Sequence, residues 1–521
     1  MRKLTMLVVL LFAFLIAAAC SKKSEDRAPP PEAQKSYSPM VAVAPADPAP
    51  QMAAGSASNI VTKPQAEVPS GEAYHDWGRN PWVDATKDHL STFAADVDTA
   101  SYTIMRRKLT EGTLPPAAAV RVEEFVNYFR YRFPEPMAGS PFAVVMDAAP
   151  SPLSPGRHIL RVGVATKEKS INERKPAHLV FLVDTSGSMS SPDKLDLAKR
   201  SLRILTDHLK DGDTVALVTY AGDSRLVLGP TGLDHKAQIL AAIDDLSVGG
   251  STAMGSGIDL AYQEAMKGLS KEAISRVIVC TDGDANVGAH THDEILKIIA
   301  GRAKEGVTLS TIGFGMGNYK DELMEQLADK GNGNNFYIDS LAAAKKVFAE
   351  QLGSTLEVVA KDVKLQVDFD PAIVSRYRLV GYENRDIKDE DFRNDAVDAG
   401  EVGAGHQVTA LYEVELKRAD VPFGTVRIRH KAPTGDKATE SAFAMPARPA
   451  ASFANAAADF RFAFAVAALP TCSATARTPS TGRSRKSATS PSSQPATTPT
   501  ARRLVSLVER AMTIKSRTAR R

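Results

Sequence analysis

The stretch "HLVFLVDTSGSMS", residues 178–190, decides how this chain folds. Leu179 to Val183 are all apolar, and the run stops at Asp184, followed by Ser186, Gly187 and Ser188. A short, unbroken apolar run bounded by turn residues reads as a strand buried on both faces, as in a parallel sheet. The abrupt end has two readings. Asp184 can brace a polar turn by accepting backbone N–H groups two residues on, or it can be half of a metal site.

The same signal recurs downstream. "DTVALVTY", "SRVIVCTDG", "VTLSTIGFG" and "NFYID" are apolar runs, separated by amphipathic stretches such as "KLDLAKRSLRILTDHL", "IDLAYQEAMKGL" and "DEILKIIAGRAKEG". Strands alternating with helices predict a doubly wound α/β domain with a mainly parallel, Rossmann-like sheet over residues 177–356. In such sheets functional groups gather at the carboxyl ends of the strands.

The flanks differ. Residues 71–176 read as helices plus strands, including two antiparallel strands around Pro155-Gly156. Residues 357–470 are β-rich without crossover helices, which predicts an antiparallel, sandwich-like layer. β material on both sides of the α/β block predicts one β-rich domain, with a small helical N-terminal part, into which the α/β domain is inserted.

The termini carry other information. "MRKLTMLVVLLFAFLIAAAC" has Arg2 and Lys3, an apolar run and small residues before Cys20, the layout of a secretory signal over residues 1–20. Residues 21–70 are rich in Pro, Ala, Ser and charge, and read as a disordered tether. Residues 471–521 hold 11 Lys or Arg against one acid, Glu509, and read as a disordered, low-complexity basic tail whose abrupt onset also fits a frameshift. That tail is +10 in a chain of +3, so the remainder is −7. A mildly acidic body excludes nucleic acid as the expected partner. Cys20, Cys280 and Cys472 are the only cysteines, and they imply no disulfide framework.

Two further segments lead to the sheet edge that holds Asp184. "GGSTAMGSG" places Thr252 in a Gly-rich loop before a helix, and "VIVCTDG" places Asp282 directly after a strand. Together with Ser186 and Ser188 these make two carboxylates and three hydroxyls on neighbouring loops. Hard oxygen donors, with no His or Cys nearby, select Mg²⁺ or Mn²⁺ over Zn²⁺, and no His or Lys is expected in these loops to act as a titratable base. His290 and His292 could form half of a zinc site, or a loop feeding a helix with Asp293 near its cap. "GFGMGNYKDE" lacks the lysine ending of a phosphate loop. Cys280 reads as a small buried residue, and Phe336 and Tyr337 as packing.

The set Asp184, Ser186, Ser188, Thr252 and Asp282 resembles the metal-ion-dependent adhesion site of von Willebrand factor type A domains. The flanks "HLSTFAADVDTASY", "GMGNYKDELMEQLADKGNGN" and "YRLVGYENRDIKDEDFRNDAVDAG" resemble bacterial lipoproteins of that class, of the YfbK type, over about residues 74–467. The resemblance implies that the three hydroxyls bind Mg²⁺ (or Mn²⁺ or Ca²⁺), that Asp184 and Asp282 act largely through waters, and that an Asp or Glu of a protein partner completes the shell. The start of the chain resembles a lipoprotein signal, with Ala17 where Leu is usual. That implies a lipid on Cys20, an anchor in the membrane, and a place in the cell envelope; Ser21, rather than Asp, points to the outer membrane. The function expected is metal-dependent protein binding without catalysis. The alternatives are a metal-dependent hydrolase and an envelope scaffold whose metal is only structural.

Overall fold

A computed structural model describes residues 72, 74–95, 98–250, 254–283, 291–315, 319–350, 356–397, 399–433 and 435–474, with 506, 507, 510, 511, 513 and 514 beyond them. Cys20, the tether at 21–70, Thr252 and His290 lie outside the described residues.

The first flank contributes β1 (Val83–Asp84), β2 (Leu90–Ala94), α1 (Ala100–Thr110), α2 (Val122–Asn127), β3 (Phe142–Pro150) and β4 (His158–Thr166). Next come β5 (Ala177–Asp184), α3 (Leu195–Asp207), β6 (Thr214–Tyr220), β7 (Ser224–Gly232), α4 (Lys236–Asp244), α5 (Met254–Lys267), β8 (Ile274–Thr281), α6 (His292–Glu305), β9 (Val307–Phe314), α7 (Asp321–Lys330), β10 (Asn335–Ile338) and α8 (Leu341–Lys345). The second flank supplies β11 (Val358–Phe369), β12 (Val374–Val380), β13 (Val402–Gly403), β14 (Gln407–Leu416), β15 (Gly424–Lys431), β16 (Ala438–Ala444) and α9 (Ala458–Ala474).

The central sheet has the order β10-β9-β8-β5-β6-β7. Its pairs are parallel except β6 with β7, an antiparallel edge that the sequence reading missed. On β5, Leu179, Phe181 and Val183 enter one core with α3, α4 and α8, while Val180 and Leu182 enter another with α5, α6 and α7. That is the period of two expected of a strand with helices on both faces. Helix α3 presents Leu195, Ala198, Leu202 and Leu205 at three- and four-residue spacing to the first core.

The β-rich domain is two sheets, and each mixes strands from both sides of the insertion. One has the order β1-β12-β14-β4-β3, and the other β13-β11-β15-β16 with β2 on β11. β14 runs along β4, with Thr409 opposite Gly163, and β2 along β11, with Phe93 opposite Leu365. The inner faces share one core, in which Phe142, Leu160 and Val162 meet Leu365, Val367 and Ile428. Phe369 stacks on Tyr377 across this core, with ring centroids 4.2 Å apart.

At the start of α1, Thr99 makes no capping bond with its side chain, and Asp98 accepts from the Asn335 amide and from Arg385, which joins the flank to the α/β domain. One expectation needs correction. The tail from residue 471 is not wholly without structure. α9 runs to Ala474, and Leu507 is buried in a third core with Tyr102, Phe125, Phe129, Phe460 and Val466, with Ala511 and Ile514 packed against it. Three apolar residues at helical spacing give that short segment one sticky face.

Candidate metal centre

The carboxyl ends of β5 and β8 bring the site together. Asp184 is the last residue of β5 and is completely buried, not the exposed loop residue that its place at a strand end suggests. Its Oδ1 accepts from the Ser186 amide at 2.9 Å, the turn-bracing bond the sequence allows. Its Oδ2 accepts from the Thr281 hydroxyl at 2.8 Å and the Tyr220 hydroxyl at 3.2 Å. Turn and site are therefore one construction. Burial pushes the Asp184 carboxyl above the usual range, against the hydrogen bonds from Ser186 and Thr281, and the charge of Asp282 adds to the rise. Burial also raises Tyr220 far above its ordinary value, as does the charge of Asp184, so its hydroxyl stays a donor.

The Ser186 and Ser188 hydroxyls lie 3.0 Å apart. Adjacent oxygens of an octahedral shell with Mg–O bonds of 2.0–2.1 Å are separated by about 2.9 Å. The donors at this edge are all oxygen, and Asp282, completely buried, stands on the neighbouring strand end. Residues and spacing thus fit a small, hard divalent cation. The loop that carries Thr252 approaches the same place: Gly187 donates its amide to Gly250 O at 3.2 Å, and Gly249 to Thr185 O at 2.8 Å. Such an ion offers a positive centre for an anionic oxygen.

The expectation that no Lys reaches these loops is wrong. Lys194, just before α3, places Nζ 2.8 Å from Asp282 Oδ2 and 3.0 Å from Ser188 O. A lysine at a helix start reads in sequence as a solvated charge, and only the fold turns it inward. Thr281 and Tyr220, the donors to Asp184, were likewise not singled out; their signal is a polar residue ending an apolar strand beside the DxSxS turn.

The remaining candidates fall elsewhere. His292 opens α6 and pairs Nε2 with Gln326 Oε1 at 3.0 Å; the cap of that helix is Thr291, in a reciprocal box with Glu294, and Asp293 lies beside it in the first turn, as expected of a loop feeding a helix. Cys280 is buried and free, and burial raises its thiol far above the ordinary value. Among the described residues no group of three His, Cys, Asp or Glu side chains could hold a metal, and no helix is long and apolar enough to cross a membrane.

Comparison with known proteins agrees with this architecture. Residues 178–350 match the von Willebrand factor type A domain, residues 68–161 the family described as von Willebrand factor, and residues 354–423 that described as "Uncharacterized protein YfbK, C-terminal". Domains of the first kind mediate protein–protein contacts, often through a divalent metal. The chain is 43% identical over 384 residues to "Uncharacterized protein YfbK" of Escherichia coli (strain K12), covering 72% of this chain and 67% of that protein. It is 28% identical over 232 residues to "Uncharacterized protein sll0103" of Synechocystis, covering 44% of this chain and 54% of that one. A solved von Willebrand factor type A protein from Catenulispora acidiphila covers 60% of this chain and 74% of its own, at 20% identity and a TM-score of 0.37, a likeness too loose to add to the assignment. The chain belongs to the YfbK family of von Willebrand factor type A proteins.

Proposed function

We propose that this protein is a non-enzymatic binding module of the cell envelope, anchored by lipid on Cys20, which captures a protein partner through a divalent cation at the β5–β8 edge. Asp184, Ser186, Ser188, Thr252 and Asp282 hold the cation, Mg²⁺ or one of its hard relatives Mn²⁺ and Ca²⁺, and a partner Asp or Glu completes its shell. The observation that carries the reading is the pair of serine hydroxyls 3.0 Å apart at the sheet edge where two buried carboxylates, Asp184 and Asp282, stand at the ends of neighbouring strands. Against a hydrolase, Lys194 is committed to an ion pair with Asp282, and both carboxylates belong to the cation's shell. The 21–70 tether lets the folded body stand off the membrane.

The test is a pull-down from detergent-solubilised envelope with Mg²⁺ and with EDTA, paired with thermal unfolding in the same buffers. Capture and a raised midpoint in Mg²⁺ alone are expected, because a ligand that binds the native state stabilises it. Capture indifferent to EDTA returns the scaffold reading. The anchor is tested separately by mass spectrometry of the mature N-terminus, where an unmodified Cys20 rules it out.

A further inference from the structure

We propose that Lys194 sets the charge of this centre: by offsetting Asp282 it makes the cation weakly held alone and tightly held together with an incoming carboxylate. The inference rests on the metal-centre reading above. Lys194 is a positioning residue, and the fold fixes it firmly. Its side chain lies flush on Gly315, where the backbone has φ +70° and an added Cβ would stand 2.3 Å from Lys194 Cγ. Gly315 O is held by the Tyr337 hydroxyl at 2.6 Å, and that hydroxyl accepts from Arg107 at 3.1 Å. The preceding residue, Asp193, is gripped by Arg107 and by the Ser191 hydroxyl, each at 2.5 Å.

The consequence is electrostatic. Lys194 is 8% exposed, so salt screens its charge little. Asp184 and Asp282 carry a formal charge of −2 and Lys194 returns +1, so the centre with a dication stands at +1 instead of zero. The ammonium repels the dication and so weakens its binding. The surplus charge it leaves attracts an anion. A buried lysine that served only as a prop for Asp282 would have the opposite effect on the cation.

The experiment uses the purified full chain and follows Mn²⁺ binding by electron paramagnetic resonance, in sodium acetate as carboxylate probe and in sodium chloride at equal ionic strength. In wild type, acetate is expected to tighten Mn²⁺. Lys194→Met is expected to bind Mn²⁺ about tenfold tighter in chloride, by loss of one unit charge a few ångströms away, and to lose the acetate effect. Lys194→Arg keeps the charge and restores both properties. Near-UV circular dichroism checks the fold, and Lys194→Gln replaces the Met variant if that one is misfolded. Weaker or unchanged Mn²⁺ binding in Lys194→Met overturns the inference alone. Binding by neither wild type nor variant overturns the metal centre, and this inference with it.

Discussion

Arg107 on α1 of the flanking domain donates from Nη2 to Asp193 Oδ2 at 2.5 Å, and the residue after Asp193 is the lysine whose ammonium rests on Asp282. One arginine therefore connects the β-rich domain to the edge where the carboxylates lie. Arg107→Ala breaks the bonds to Asp193, Tyr337 and Glu111 together. A loss of roughly 1–3 kcal/mol is expected, with faster amide exchange at residues 191–195. Exchange unchanged there means that the arginine does not order the loop.

Asp184→Asn should remove the response to Mg²⁺. Asparagine keeps the shape and an acceptor, whereas alanine would leave the Thr281 and Tyr220 hydroxyls without theirs. Asp184→Asn unfolds at the same temperature in Mg²⁺ and in EDTA, while wild type unfolds higher in Mg²⁺. A Mg²⁺ shift that survives in the variant contradicts the site.

Glu123 gives a dependence on pH. It is buried on α2, and burial raises its pKa to about 7, helped by the charges of Glu124 and Glu383. A carboxyl whose folded pKa lies above its unfolded value is penalised when ionised, so stability from this group falls as pH rises from about 4.5 towards 7. Glu123→Gln imitates the protonated form. Its advantage over wild type should be near zero at pH 4.5 and reach a few kcal/mol at pH 8, read by chemical denaturation across that range.

Leu507 is buried in the core that holds Tyr102 and Phe460. Leu507→Ala should cost about 2 kcal/mol or more, and truncation before residue 500 should lower the unfolding midpoint at least as far. A midpoint unmoved by either change shows that the segment does not dock.

The parts of the fold that were legible are those encoded by neighbours in the chain. The apolar runs that lead to Asp184 and Asp282 are short, unbroken and closed by turn residues, and Asp184, Ser186 and Ser188 lie within five residues, so their chemistry is visible without a fold. β7 was not legible because Gly229 and Pro230 interrupt it, and such residues are tolerated on an edge strand. The inward turn of Lys194 depends on Gly315, Tyr337 and Arg107, which are remote in sequence. No local pattern reports it. The burial of Asp184 escaped for the same reason, since Tyr220 and Thr281 cover it from two other strands.

The mixed parentage of the two β sheets has a consequence during synthesis. Ala94 on β2 waits for Lys364, roughly 270 residues later, and Gly163 on β4 for Thr409. The α/β block that lies between them is complete on the ribosome first and can fold while both are still waiting. Until the chain past β14 emerges, the β3–β4 hairpin offers an unsatisfied strand edge to any neighbour, a recognised route to aggregation. Nascent chains of this protein are therefore most vulnerable in the interval between the two flanks, and a holding chaperone would be of most use there.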